Sequence, residues 1–338
     1  MSDKIKLTVS ASPHAKGPGT VSGIMLDVII ALIPATIVGI ATFGARAALV
    51  IITCVASCVL FEFVTRKILK RSTTIGDLSA AVTGLILAFN LPVGLPLWMC
   101  VIGSFFAIVV VKQLFGGIGQ NFANPAITGR IVLLVSFASK MTDFAMPRGI
   151  DAVTSATPMG QLANVDMTGD ITAQLHALAD AGQLPDLFRM FFGIRQGCIG
   201  EVCSAALLLG GLYLVARGVI KVTIPLSYIG TVAVFMLIAS RFDLLFTVYE
   251  ILGGGLLLGA IFMATDYTTS PVNTAGKIVF GIGCGLITSV IRLYGSLPEG
   301  VSYSILLMNI ACPLIEMATK PKYFGQKKKE KKKKEEAA

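Results

Sequence analysis

A chain of 338 residues that is 54% hydrophobic, only 14% charged and has a mean hydropathy of +0.80 holds more apolar surface than one soluble core of that length needs. The formal charge of +9 owes much to a terminal Lys/Glu block, which reads as a membrane-surface and topology-fixing tail and excludes nucleic acid as a partner. Cys54, Cys58, Cys100, Cys198, Cys203, Cys284 and Cys312 fall almost entirely in apolar runs, with no C-x-x-C pair or Cys/His cluster, so they read as small core residues.

In chain order, the first apolar run follows a polar, Gly/Pro-containing arm with no small-residue cleavage site close behind it, so the arm is expected to stay attached. Apolar length and Gly, Pro and charge punctuation place spans near 24–43, 47–65, 77–91, 95–114, 124–138, 198–217, 222–240, 244–265, 276–293 and 301–318. These define an all-α polytopic membrane protein of about ten transmembrane helices. With the N-terminus inside, 20 of the 28 Lys and Arg residues fall on the inner side, so both termini are expected in the cytoplasm.

Helix breakers at Asn90-Leu91-Pro92, Asn124-Pro125 and Thr269-Ser270-Pro271 stand in or beside apolar runs, where broken backbone is tolerated only if protein or a cavity surrounds it. Gly84 to Pro92 with Asn124-Pro125-Ala126 is echoed by Gly259 to Pro271 with Asn309 to Pro313. Two halves of five helices each would begin on opposite sides, which makes any repeat inverted and the architecture urea-transporter-like. The organisation expected is an N-terminal arm (1–22), a first membrane repeat (23–138), a long extracytoplasmic loop (139–196), a second membrane repeat (197–319) and a Lys/Glu-rich tail (320–338). Residues 171–192 of the loop read as one or two short helices, with Phe188, Phe191 and Phe192 suited to the membrane interface.

Within the loop stands Asp151-Ala152-Val153-Thr154-Ser155-Ala156-Thr157-Pro158, one acid in a run of small and hydroxyl residues. A threonine alcohol is a poor nucleophile, so covalent modification there needs an enzyme to activate it. The run resembles the flavinylation signature in the membrane subunits of the Rnf and sodium-pumping NADH:quinone oxidoreductase families. Ser12-Pro13-His14, Ile24-Met25 and Gly119-Gln120-Asn121 leading to Asn124-Pro125-Ala126 extend the likeness over nearly the whole chain. Its length and short arm resemble the D subunit of Rnf complexes, with the longer B subunit of the quinone reductase as the alternative.

That resemblance implies FMN joined to Thr157 by a phosphoester, placed there by a flavin transferase that uses FAD. Asp151, Thr154, Ser155 and Ala156 would belong to the recognition sequence, and Arg148 would neutralise the flavin phosphate, against a plain reading as a solvated loop charge. It also implies a second, non-covalent flavin, riboflavin, and a bacterial or archaeal inner membrane complex of membrane and peripheral subunits. Such complexes relay electrons between ferredoxin and NAD, coupled to Na⁺ or H⁺ movement. With no G-x-G-x-x-G on a strand and no Walker loop, NAD and ferredoxin would dock on other subunits, and the chain would not be catalytic alone. Ion movement needs polar groups at membrane depth, for which Asp266, Glu201, Asp27 and Glu250 are the candidates and structural pairing the plainer reading; Glu62 and Asp77 are expected to flank the interface. A urea-channel-like solute transporter without a redox role is the rival from another class, and it has no use for the flavinylation signature.

Overall fold

The computed structural model describes residues 19–145, 147, 157–167, 169–193, 195–295 and 299–320. Helices account for all the regular structure in these residues, with no strand. α1 (Val21–Phe43) begins where the Thr20 hydroxyl accepts the Gly23 N–H, and ends at Gly44. Gly44 has φ 79°, a region in which a side chain is strained, and it turns the chain straight into α2 (Ala45–Ile68). Helices of 23 and 24 residues reach about 35 Å, enough to cross a bilayer.

α3 (Ser79–Phe89) is opened by Asp77, whose carboxylate takes the Ser79 N–H and hydroxyl, and it stops before Pro92. The chain resumes as α4 (Leu97–Phe105), which widens into a π-helical stretch over Phe106–Gln113. α5 (Pro125–Ser136) has Asn124 as cap and Pro125 in its first turn, so Asn124-Pro125 starts a helix rather than breaking one. α6 (Ala138–Met141), α7 (Pro158–Leu162), α8 (Ile171–Asp180) and α9 (Leu187–Phe192) are short helices of the central segment. Phe188 and Phe192 are exposed there, and Phe191 is partly buried.

The second half holds α10 (Ser204–Ala216), α11 (Thr223–Ala239), α12 (Leu244–Leu252), α13 (Leu256–Leu258) continued as a π-helix over Gly259–Met263, α14 (Thr274–Tyr294) and α15 (Val301–Ala318). Among the described residues, four helices are long and apolar enough to cross a membrane, α1, α2, α14 and α15. A fifth span results if α12 and its continuation, bent by 60°, count as one. The remaining apolar helices are shorter. This makes the chain a multi-pass helical membrane protein. Residues 198–203, expected inside a span, are instead turns preceding α10, and Asn309 and Pro313 lie within the continuous α15.

α2 packs on α3 and α4, α11 on α14, and α14 on α15, while α1 with α10 and α5 with α15 join the two halves. Glycines set the closest crossings. A Cβ on Gly84 would stand 2.7 Å from the Val55 Cα, and one on Gly210 2.2 Å from the Ala31 carbonyl oxygen. All seven cysteines are buried as free thiols.

Gly84→Val should therefore force α3 off the backbone of α2 and destabilise the protein by about 1–3 kcal/mol or more. Thermal unfolding of the solubilised protein would read this as a lowered midpoint, and an unchanged midpoint would refute the α2–α3 crossing.

Candidate functional site

Two helices are interrupted, α3 at Asn90 and α12 at Gly253, and their freed backbone groups determine what surrounds them. At the first break the Phe89 carbonyl accepts the Gly200 N–H at 3.0 Å and the Leu91 carbonyl accepts the Ile199 N–H at 3.2 Å. Arg46 donates to the Leu95 carbonyl at 2.9 Å. Gly200 is required by this approach, because a Cβ there would stand 2.3 Å from that of Phe89. Asn90 caps the interruption internally, donating to the Ile86 carbonyl at 2.7 Å while its own carbonyl accepts from Arg130 at 2.9 Å.

The second break, Gly253-Gly254-Gly255, is held by Arg292 from the far end of α14. Its guanidinium donates to the Glu250 carbonyl at 2.6 Å, the Glu250 carboxylate at 2.9 Å, and the Gly253 and Gly254 carbonyls at 3.1 and 3.4 Å. Met159 of α7 rests on the same turn, its sulfur 2.5 Å from where a Gly253 Cβ would be. The helix that begins immediately after Thr157 is thereby seated on the break of the second half.

Thr157 itself is the cap of α7, with its hydroxyl oxygen accepting the Gly160 N–H at 3.2 Å, and the residue is only 8% exposed. No acceptor takes its proton among the described residues, and an ester at this oxygen leaves a lone pair for Gly160, so the position is chemically compatible with a phosphoester. Asp151, Thr154, Ser155, Ala156 and Arg148 lie outside the described residues.

At the other end of the bundle is a cavity of about 420 Å³ between the two halves. Met25, Ile86 and Phe262 give it apolar walls, and Lys112, Asn121, Asn124 and Asp266 supply polar groups. The volume is in the range of small-molecule sites, with apolar walls and a few polar groups. Lys112 is fixed by Glu62 at 2.8 Å and the Ser79 hydroxyl at 2.6 Å. Glu62 is 1% exposed, with Thr74 donating to its other oxygen at 2.6 Å.

The four proposed ion-path acids do not converge. Asp266 lines the cavity and accepts from the Thr269 hydroxyl at 3.0 Å. Asp27 is tied to Tyr213 at 2.8 Å and Arg217 at 3.4 Å. Glu250 belongs to Arg292. Glu201 accepts the Cys198 N–H at 2.9 Å, and one ligand atom each from Cys198, Glu201 and Glu299 lies within 4.8 Å of the others. Arg130 is ion-paired to Glu299, and Arg195 donates to the Glu201 carbonyl, so cations of the protein already balance this group. Sequence reasoning left Arg130, Arg292 and Lys112 unassigned, though a base within or at the end of an apolar run is itself the signal. It also missed the buried triad of Tyr228, Thr288 and Ser304, whose hydroxyls lie 2.6–2.8 Å apart.

Interrupted apolar helices, buried charge pairs and a cavity between the halves make this a multi-pass helical membrane protein with a polar interior. The chain belongs to the NQR2, RnfD, RnfE family, whose sequence model matches residues 8–325. It is 46% identical over 328 residues to the D subunit of the Na(+)-translocating ferredoxin:NAD(+) oxidoreductase complex of Acetobacterium woodii, covering 96% of this chain and 98% of that one. It is 42% identical over 327 residues to the D subunit of the proton-translocating ferredoxin:NAD(+) oxidoreductase complex of Clostridium ljungdahlii, with 95% and 97% covered. The D subunit of the ion-translocating oxidoreductase complex of Stutzerimonas stutzeri is 37% identical, with 91% and 93% covered.

Lys112→Met should strand the Glu62 carboxylate with Thr74 as its remaining donor among the described residues and cost about 3–5 kcal/mol. The Glu62→Met, Lys112→Met double variant should lose much less than the two single losses combined. Additive losses in a double-mutant cycle would refute the pairing.

Proposed function

We propose that this chain is the D-type membrane subunit of an ion-translocating ferredoxin:NAD oxidoreductase. The observation that carries the reading is similarity along nearly the full length of proteins bearing that name. In this reading the chain is not catalytic alone. Other membrane and peripheral subunits bind ferredoxin and NAD, and this one holds flavin within the membrane. The coupling ion is sodium in one relative's name and the proton in another's, so the cargo is taken as a monovalent cation.

The covalent flavin is FMN on Thr157, attached by a flavin transferase. Support comes from the motif ending in Thr157 and from an Oγ able to carry an ester while retaining the Gly160 N–H bond. Seating α7 on the Gly253-Gly254 turn would fix the cofactor against the second half. Riboflavin is assigned to the cavity, where Ile86 and Phe262 would face its ring and Asn121, Asn124, Lys112 and Asp266 its polar edge. Flavins supply one- and two-electron chemistry, while the protein supplies position and charge. Lys112, locked by Glu62 and Ser79, provides a fixed cation beside the cavity.

The finer architecture fits the same reading. The helices not long enough by themselves complete about ten crossings as two inverted repeats of five, in a urea-transporter-like arrangement. Their interrupted segments are the Asn90 and Gly253 breaks. Both termini and the flavin cavity would then face the cytoplasm, and Thr157 the outside, the orientation favoured by the basic residues.

Intact-mass measurement of the chain expressed with its transferase, followed by peptide mapping, should find one FMN adduct on Thr157. Thr157→Ala should abolish it with little loss of folded protein, since this change removes one capping bond worth about 1 kcal/mol. An adduct retained in that variant would overturn the assignment. Thr83→Trp, which fills part of the cavity, should remove most acid-extractable riboflavin while leaving the covalent adduct in place. Riboflavin unchanged in that variant would refute the cavity assignment.

A further inference from the structure

Beside the large cavity, and sharing Val219, Ile220, Thr265 and Tyr267 with its wall, lies a smaller recess of about 120 Å³. Lys221 reaches it from the turn between α10 and α11, and Lys277 from the first turn of α14. No acidic side chain lines it among the described residues. The acids nearby are committed elsewhere. Asp27 pairs with Arg217, Asp266 lines the larger cavity and takes the Thr269 hydroxyl, and Glu316 accepts the Val272 N–H at 3.0 Å. Neither lysine forms an ion pair among the described residues.

The other polar groups of the recess have already used their protons. Thr265 donates to the Ile261 carbonyl at 2.6 Å, Ser270 to the Asp266 carbonyl at 2.7 Å, and Tyr267 to the Val219 carbonyl. The donors that remain on side chains are the two ammonium groups. Two like charges in one small concavity repel each other, and a single anion between them removes that repulsion and gains two charge-assisted hydrogen bonds.

The position identifies the kind of anion. The recess lies where α10 ends and where α11 and α14 begin, so it is at an end of the bundle, at headgroup level rather than in the hydrocarbon. Val222, Val272 and Ile278 are exposed around it, an apolar surface on which acyl chains can lie. Basic pockets between helices at this depth suit lipid phosphates. We propose that Lys221 and Lys277 form a binding site for a phosphate-bearing anion, supplied by the headgroup of an anionic phospholipid. The site is independent of the flavin reading, since neither lysine lines the larger cavity.

The test uses the purified whole complex in nanodiscs of phosphatidylcholine with and without phosphatidylglycerol, read by native mass spectrometry for retained lipid and by thermal unfolding. The Lys221→Gln, Lys277→Gln double variant is compared with Lys140→Gln, a basic residue of α6 away from the recess. The native complex should retain phosphatidylglycerol in preference to phosphatidylcholine. The double variant should weaken that preference about tenfold to thirtyfold, from roughly 1 kcal/mol per lysine, while Lys140→Gln leaves it unchanged. Stabilisation by millimolar inorganic phosphate in pure phosphatidylcholine discs, lost in the double variant, would support the anion site with a soluble source. Equal retention of both lipids by native and variant complexes, with no phosphate effect, would overturn the proposal.

Discussion

Breaking a helix inside a membrane frees N–H and carbonyl groups that no water can satisfy, and the structure is organised around meeting that cost. The first break is answered by backbone from the other half of the chain, Ile199 and Gly200 on Leu91 and Phe89, and by Arg46 on Leu95. The second is answered by one side chain, Arg292, which gathers the Gly253 and Gly254 carbonyls and the Glu250 carboxylate. The halves also exchange support in the other direction. Asn124, which caps α5, donates to the Met263 carbonyl at the end of the second interrupted span at 3.2 Å. The first break therefore depends on the second half, while the second is held from within its own half and tied to the first half at Met263.

These contacts make the interior polar in a controlled way. Three buried bases are matched by acids: Lys112 with Glu62, Arg292 with Glu250, Arg130 with Glu299. Removing one partner of such a pair leaves an uncompensated charge, which costs far more than the intact pair contributes. The Glu62–Lys112 pair and the Glu250–Arg292 pair stand toward opposite ends of the bundle, one beside the cavity and the other under α7. The interior thus carries fixed charges close to both places proposed for a flavin.

The central segment, though long, is anchored. Met159 lies on the Gly253-Gly254 turn, Thr172 donates to the Asp243 carboxylate, and the Tyr249 hydroxyl donates to the Pro185 carbonyl at 3.1 Å. All three ties end on α12 or on the residues that open and close it. Movement of the interrupted span would therefore be felt at Thr157, and a substituent on Thr157 would be felt at the interrupted span.

Apolar run length alone determined that this chain is a helical membrane protein, because covering about 30 Å of hydrocarbon leaves few alternatives to a helix of about 20 residues. Local chemistry determined the interruptions at Asn90-Leu91-Pro92 and the pattern ending in Thr157, which are contiguous in sequence. Tertiary structure decided what those residues meet. Glu62 proved to be buried against Lys112 across 50 positions, Arg130 against Glu299 across 169, and Arg292 against Glu250 across 42. The two lysines of the anion recess, one on the turn before α11 and one in the first turn of α14, are likewise separated in the chain. Helical periodicity reports which face of a helix is apolar, but not which distant helix turns toward it. The cavity, the charge pairs and the seat of α7 depend on that second choice, which is made only when the two halves pack together.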